Sequence, residues 1–69
     1  MRLKINGEDK DVGEAGTMSV TRLVGELGLE NVRVAVELNR TIVRRATWDA
    51  TDVKDGDTVE IVHFVGGGS

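Results

Sequence analysis

A histidine is the first side chain to look for when general-base chemistry runs at neutral pH, and this sequence has one, His63. It has no cysteine to activate, because the chain contains none, and no Ser or Asp partner can be picked out by spacing. Set between Val62 and Phe64, His63 reads as a strand residue with a structural or partner-contact role. The same counts close off other chemistry. One His excludes metal sites that need two imidazoles, and zero Cys excludes thiolate zinc, iron–sulfur clusters and disulfides. Asp52, Asp55, Asp57 and Glu60 gather acidic oxygens, but they miss the ligand spacing of a calcium loop. Asp on either side of Gly56 is ordinary turn chemistry, the carboxylate bonding nearby backbone N–H groups. Arg40, Arg44 and Arg45 beside Trp48 form the basic-plus-aromatic mixture that single-stranded nucleic acid uses. A net charge of −3 and an aromatic content of 3% argue against that use, leaving a solvated loop with Trp48 folded partly onto the core. The stretch from Gly13 to Gly16 lacks the Lys and the glycine spacing of a phosphate-binding loop. No enzyme emerges from the side chains.

The elements that must carry these residues are few. A chain of 69 residues has room for one small domain with one core. No apolar run reaches membrane-spanning length, and Met1 to Ile5 alternates rather than forming a signal-peptide core, so the expectation is a soluble cytoplasmic domain without membrane or nucleic-acid partners. Leu3 and Ile5 alternate with polar neighbours, a half-buried strand. Asn6-Gly7 predicts a tight hairpin into residues 8–12. Val20, Leu23, Val24 and Leu27 fall on one helical stripe, with Ser19 or Thr17 as the N-cap and Gly28 as the left-handed residue that ends it. Gly25 weakens the middle of that helix, and a close approach to the sheet is the expected reason. Val32, Val34, Val36 and Leu38 share one side of a strand, Asn39-Arg40 turns it into a short strand over 41–43, and Arg44 to Asp52 is irregular. Asp55-Gly56-Asp57 turns into a last strand over 58–65. The order is β-β-α-β-β-β, and one helix of about ten residues can cover only one sheet face. This is an α+β chain with a mixed sheet, a β-grasp of the ubiquitin-like kind, over residues 1–65.

Two features remain unexplained by that fold. If Val59 and Ile61 join the core, Glu60, Val62 and Phe64 face outward beside Ala35, an apolar group on a solvent face and a candidate docking patch. The last strand then runs into Gly66-Gly67-Gly68-Ser69, a tail that no core requires. At about 3.3 Å per residue it reaches roughly 13 Å, and without side chains it can enter a narrow channel of another protein. The same residues also make a common flexible linker.

With these residues in view, the sequence resembles the thiamine-biosynthesis sulfur-carrier family of ubiquitin-like proteins, over essentially the whole chain. The resemblance is carried by Leu3-Lys4-Ile5-Asn6-Gly7, by Val34-Ala35-Val36-Glu37-Leu38-Asn39, and by Asp55-Gly56-Asp57 before Val59-Glu60-Ile61-Val62. The ending Val62-His63-Phe64-Val65-Gly66-Gly67-Gly68 carries most of it. It implies a protein substrate and not an enzyme, with no bound cofactor. A partner resembling ubiquitin-activating enzymes, an adenylyltransferase, uses ATP to adenylate the terminal glycine carboxylate. A persulfide supplied through a cysteine desulfurase then displaces AMP, and thiazole synthase takes sulfur from the resulting thiocarboxylate. Gly68 is the implied acceptor, with Gly66 and Gly67 as its approach and Val62, Phe64 and Ala35 as the docking patch. One departure stands out: Ser69 follows Gly68 and leaves it no carboxylate. Either Ser69 is trimmed away, or it is not native to the protein, or the chain does not carry sulfur as it stands; trimming to Gly68 is the expectation. The rivals are sulfur delivery to molybdopterin, a ubiquitin-like modifier joined to target lysines, a plain interaction module whose tail is a linker, and an RNA-binding module using Arg44, Arg45 and Trp48.

Overall fold

Asn6 and Gly7 adopt φ angles of 51° and 85°, the paired positive values that let two strands meet without splaying. The hairpin they close joins β1 (Arg2–Ile5) to β2 (Glu8–Asp11), antiparallel with Ile5 opposite Glu8. The structure is a computed structural model that describes residues 1–13 and 16–64. After β2 come β3 (Thr17–Ser19), helix α1 (Val20–Glu26), β4 (Val34–Leu38), β5 (Thr41–Val43), a 3₁₀ helix (Arg45–Ala50), β6 (Asp52–Lys54) and β7 (Thr58–His63). Five strands form a mixed sheet in the order β2-β1-β7-β4-β5. Its centre is β7, parallel to β1 and antiparallel to β4. The anticipated mixed sheet with one helix across one face is present.

Leu3, Ile5, Val34, Val36, Val59 and Ile61 project from one face of that sheet and meet Val20, Leu23 and Val24 of α1, with Val12, Met18, Trp48 and Val53 completing the core. The helix is shorter than its hydrophobic stripe. Ser19 and not Thr17 caps it, the hydroxyl accepting from Arg22 N–H at 3.0 Å. At the other end Gly28, φ 75°, donates to the Gly25 carbonyl, and Leu29 donates to the Val24 carbonyl at 2.9 Å. This double closure satisfies two orphan carbonyls and stops the helix after Leu27.

Three sequence expectations need correcting. Val32 is not on the core side of β4. The chain is still turning there, with Val32 N–H bonded to the Leu29 carbonyl, and the side chain is 37% exposed. A second sheet, the two-stranded ribbon β3-β6, pairs Met18 with Val53 and buries both. Its three-residue strands each bury a single side chain, too few to show a period. Gly25 is not forced by crowding either. A methyl group there would meet only Glu30 Oε2, at 3.7 Å, an ordinary contact. Gly25→Ala is therefore expected to raise stability by about 0.5–1 kcal/mol, read as a higher urea midpoint at unchanged slope. A lower midpoint would mean the glycine is needed after all.

The turn before β7 is held by a buried carboxylate. Asp57 is 6% exposed. Its oxygens accept from Lys54 N–H (2.9 Å), Asn39 Nδ2 (3.1 Å) and Lys54 Nζ (3.4 Å). Burial by itself pushes this carboxyl up, but the Lys54 N–H, the Asn39 amide and the Lys54 charge together outweigh it and hold it below the ordinary carboxylate range. The folded form is thus the stronger acid. Its stabilising effect is complete above the unfolded carboxyl's titration and drains away as pH falls through the lower folded value. Asp57→Asn is expected to cost about 1–2 kcal/mol at pH 7 and to flatten the loss of stability in acid. A variant with the same acid dependence as the parent would remove Asp57 from that role.

Candidate functional site

The outer face of the sheet, opposite the helix, is where alternation breaks. On β7, Val59 is fully buried and Ile61 is 8% exposed, whereas Val62 is 57% and Phe64 56% exposed. Val62 lies directly opposite Ala35 on β4, which is half-buried. The main chain stays in register to the end of this row, since Phe64 N–H donates to the Arg33 carbonyl at 3.0 Å. The structure thus brings Val62, Phe64 and Ala35 together as one exposed apolar strip leading toward the tail. Gly66, Gly67 and Gly68 lie outside the described residues.

The strip is wider than the sequence reading made it. Ile42 on β5 is 68% exposed and sits opposite Glu37, on the same face as Ala35. A signal for it was available: with Glu37 pointing outward, a two-residue turn at Asn39-Arg40 obliges its cross-strand partner Ile42 to point outward too. Charges of both signs surround the strip on this face: Arg33, Arg44, Glu37 and Glu60 carry the outward parity beside it, and Arg2 and Lys4 lie opposite Asp11 and Asp9 at the far edge. Arg33, Arg40, Arg44 and Arg45 form no ion pair among the described residues.

The other chemistry-bearing residues are dispersed or already engaged. His63 is exposed at the end of β7, opposite Val34. Asp55 Oδ1 accepts from Arg2 N–H at 2.7 Å, Glu60 faces Glu37 across the ladder, and Asp57 is consumed by its turn. Trp48 is 6% exposed, its indole N–H donates to the Val43 carbonyl at 2.9 Å, and the Arg45 guanidinium sits 5.0 Å from the ring centre. A ring buried on one side and covered by Arg45 on the other offers no platform for a base. No helix among the described residues is long and apolar enough to cross a membrane.

Among the described residues the arrangement offers an exposed apolar surface at the end of β7, and the sequence continues from it into the glycines. Comparison with known proteins points the same way. The model of the ThiS family matches residues 3–68, a span that includes the three glycines. The sulfur carrier protein ThiS of Bacillus subtilis is 39% identical over 70 residues, covering 96% of this chain and 98% of that protein. A thiazole synthase of Paramagnetospirillum magneticum is 46% identical over 69 residues, covering all of this chain but 21% of that protein. A second thiazole synthase, from Magnetococcus marinus, is 43% identical and likewise matched over 20% of its length. The chain therefore spans about a fifth of these two relatives. The crystal structure of a thiamine biosynthesis protein (ThiS) from Geobacter metallireducens superposes with a TM-score of 0.85 at 43% identity, covering 99% of this chain and 100% of that one.

Proposed function

The chain belongs to the ThiS family, and from that premise we propose that it carries sulfur, as a glycyl thiocarboxylate, for assembly of the thiazole ring of thiamine. The observation that carries this reading is that the family match runs through residue 68, taking in the glycines along with the folded domain. Sequence and chemistry then assign the parts. Residues 1–65 are the domain and residues 66–69 the tail. A carboxylate is a poor acyl donor until one oxygen becomes a good leaving group, so an adenylyltransferase partner must first join the Gly68 carboxylate to AMP, consuming ATP and releasing pyrophosphate. The terminal sulfur of a persulfide attacks that acyl carbon and expels AMP. Cleavage of the resulting acyl disulfide by a thiol frees the thiocarboxylate, which thiazole synthase consumes. Two of the relatives are thiazole synthases that contain a stretch similar to this whole chain, which supports thiazole synthase as the acceptor.

In this reading the protein is a substrate of its partners and holds no cofactor; ATP belongs to the activating enzyme. Val62, Phe64 and Ala35 supply docking energy, and the glycines let the acyl carbon enter two different active sites without side-chain hindrance. The cytoplasm, where ATP and persulfide donors meet, is the location that fits. Ser69 must be removed before Gly68 presents a carboxylate. The test is the intact mass of untagged protein purified from its own cells under thiamine limitation. The expected species lacks Ser69 and has one oxygen exchanged for sulfur. A population that is entirely unmodified and still retains Ser69 would overturn the proposal.

A further inference from the structure

The central strand β7 has two neighbours at its start and loses one of them halfway. On the β1 side its parallel ladder proceeds through Lys4 N–H to the Asp57 carbonyl (3.0 Å) and Asn6 N–H to the Val59 carbonyl (2.9 Å). The next rung of a parallel ladder would join Ile61 N–H to the Asn6 main-chain carbonyl and the Ile61 carbonyl to the N–H of residue 8. It cannot form, because Asn6-Gly7 turns the chain back into β2. The side chain of Asn6 takes its place. Asn6 Oδ1 accepts from Ile61 N–H at 2.7 Å, and Asn6 Nδ2 donates to the Ile61 carbonyl at 3.1 Å. One primary amide thus reproduces the acceptor of one missing peptide group and the donor of the next.

Beyond this point β7 is paired on the β4 side, through Val62 opposite Ala35 and Phe64 N–H on the Arg33 carbonyl. Ile61 is the residue immediately before the exposed strip, and one residue, Val65, separates the end of the strip at Phe64 from the tail in sequence. We infer that Asn6 is a positioning residue: its amide clamps β7 at Ile61 on the side that β1 no longer covers and thereby holds the Val62–Phe64 segment, paired on the β4 side alone, in the line along which the chain is presented to a partner's active site. Turn formation alone does not account for the choice, since glycine tolerates the φ of 51° at least as well as asparagine. The functional half of the inference rests on the sulfur-carrier reading. The clamp itself does not.

Two variants separate the roles. Asn6→Gly keeps the turn conformation and deletes the amide. Asn6→Asp keeps an acceptor for Ile61 N–H, tolerates positive φ, and loses the donor. Amide hydrogen exchange on the full chain is expected to show faster exchange at Ile61 in Asn6→Gly, with β4 unchanged and with protection of Ile61 retained in Asn6→Asp. Adenylation by the purified activating enzyme with ATP, on chain ending at Gly68, is expected to lose about three- to tenfold in kcat with KM for the carrier nearly unchanged, because docking survives and aim does not. Unchanged Ile61 protection in Asn6→Gly would overturn the clamp. Faster Ile61 exchange with an unaltered kcat would overturn the positioning role. An unsubstituted chain that the enzyme never adenylates would instead sink the sulfur-carrier reading, leaving the exchange data to decide the clamp.

Discussion

Deleting Gly67 and Gly68 together is expected to abolish thiocarboxylate formation while leaving the thermal unfolding of the domain essentially where it was. The loss should be complete if the chain carries sulfur as proposed, because the Gly68 carboxylate is then the group that is adenylated, and a tail two residues shorter stops its terminal carboxylate about 7 Å short of the activating enzyme's reacting centre. The domain should not notice, since the last core residue among the described ones is Ile61, and Val62 and Phe64 are already exposed. Intact mass after incubation with activating enzyme, ATP and a persulfide donor reads the first quantity, and calorimetry reads the second. A deletion variant that still supports thiazole formation in cells would show that the glycines are a spacer and that the acceptor lies elsewhere. Amide-linked conjugates on target lysines, in place of a thiocarboxylate on the intact chain, would move the protein to the modifier class.

The second large effect concerns the strip that leads to the tail. Phe64→Ala and Val62→Ala together are expected to weaken binding to the activating enzyme by about tenfold to a hundredfold, from burial worth about 1.5–3 kcal/mol for a side chain of this size. The domain should stay folded, because neither side chain contributes to the core in the free protein. Calorimetric titration of the variant against the enzyme gives the affinity directly, and the parent's melting temperature is the control. Equal affinity for parent and variant would remove the strip from docking. Ile42→Ala measures how far the contact extends across β5. Its 68% exposure makes it neutral for folding, so any loss of affinity belongs to the interface.

What could be read along the chain was whatever is encoded over a few neighbouring residues. Asn6-Gly7 announced a turn because positive φ at two successive residues restricts the choice to a handful of types, and the observed angles are positive. Ser19 and Gly28 marked the helix ends through groups that reach only across one turn. Thr58 to Val62 gave away the outer strip because alternation has a period of two and two successive outward positions after Ile61 are apolar. The family resemblance added the role of the glycines, which no periodicity could supply.

The rest waited for three-dimensional proximity. Thr17–Ser19 and Asp52–Lys54 become strands only because they lie beside each other, far apart in sequence. Trp48 looked half-solvated among arginines, yet the 3₁₀ helix turns its indole onto the Val43 carbonyl and buries the ring. Val32 continued the pattern of β4 by type and left it by geometry, since the turn after Gly28 had not finished. The two functions of Asn6 mark the division most clearly. Its backbone angle is a local matter that the dipeptide Asn6-Gly7 determines by itself, whereas the partner of its side chain is a peptide group 55 residues away. Only the tertiary fold, by laying β7 parallel to β1, could decide that partner, because a hydrogen bond depends on distance in space and not on separation along the chain.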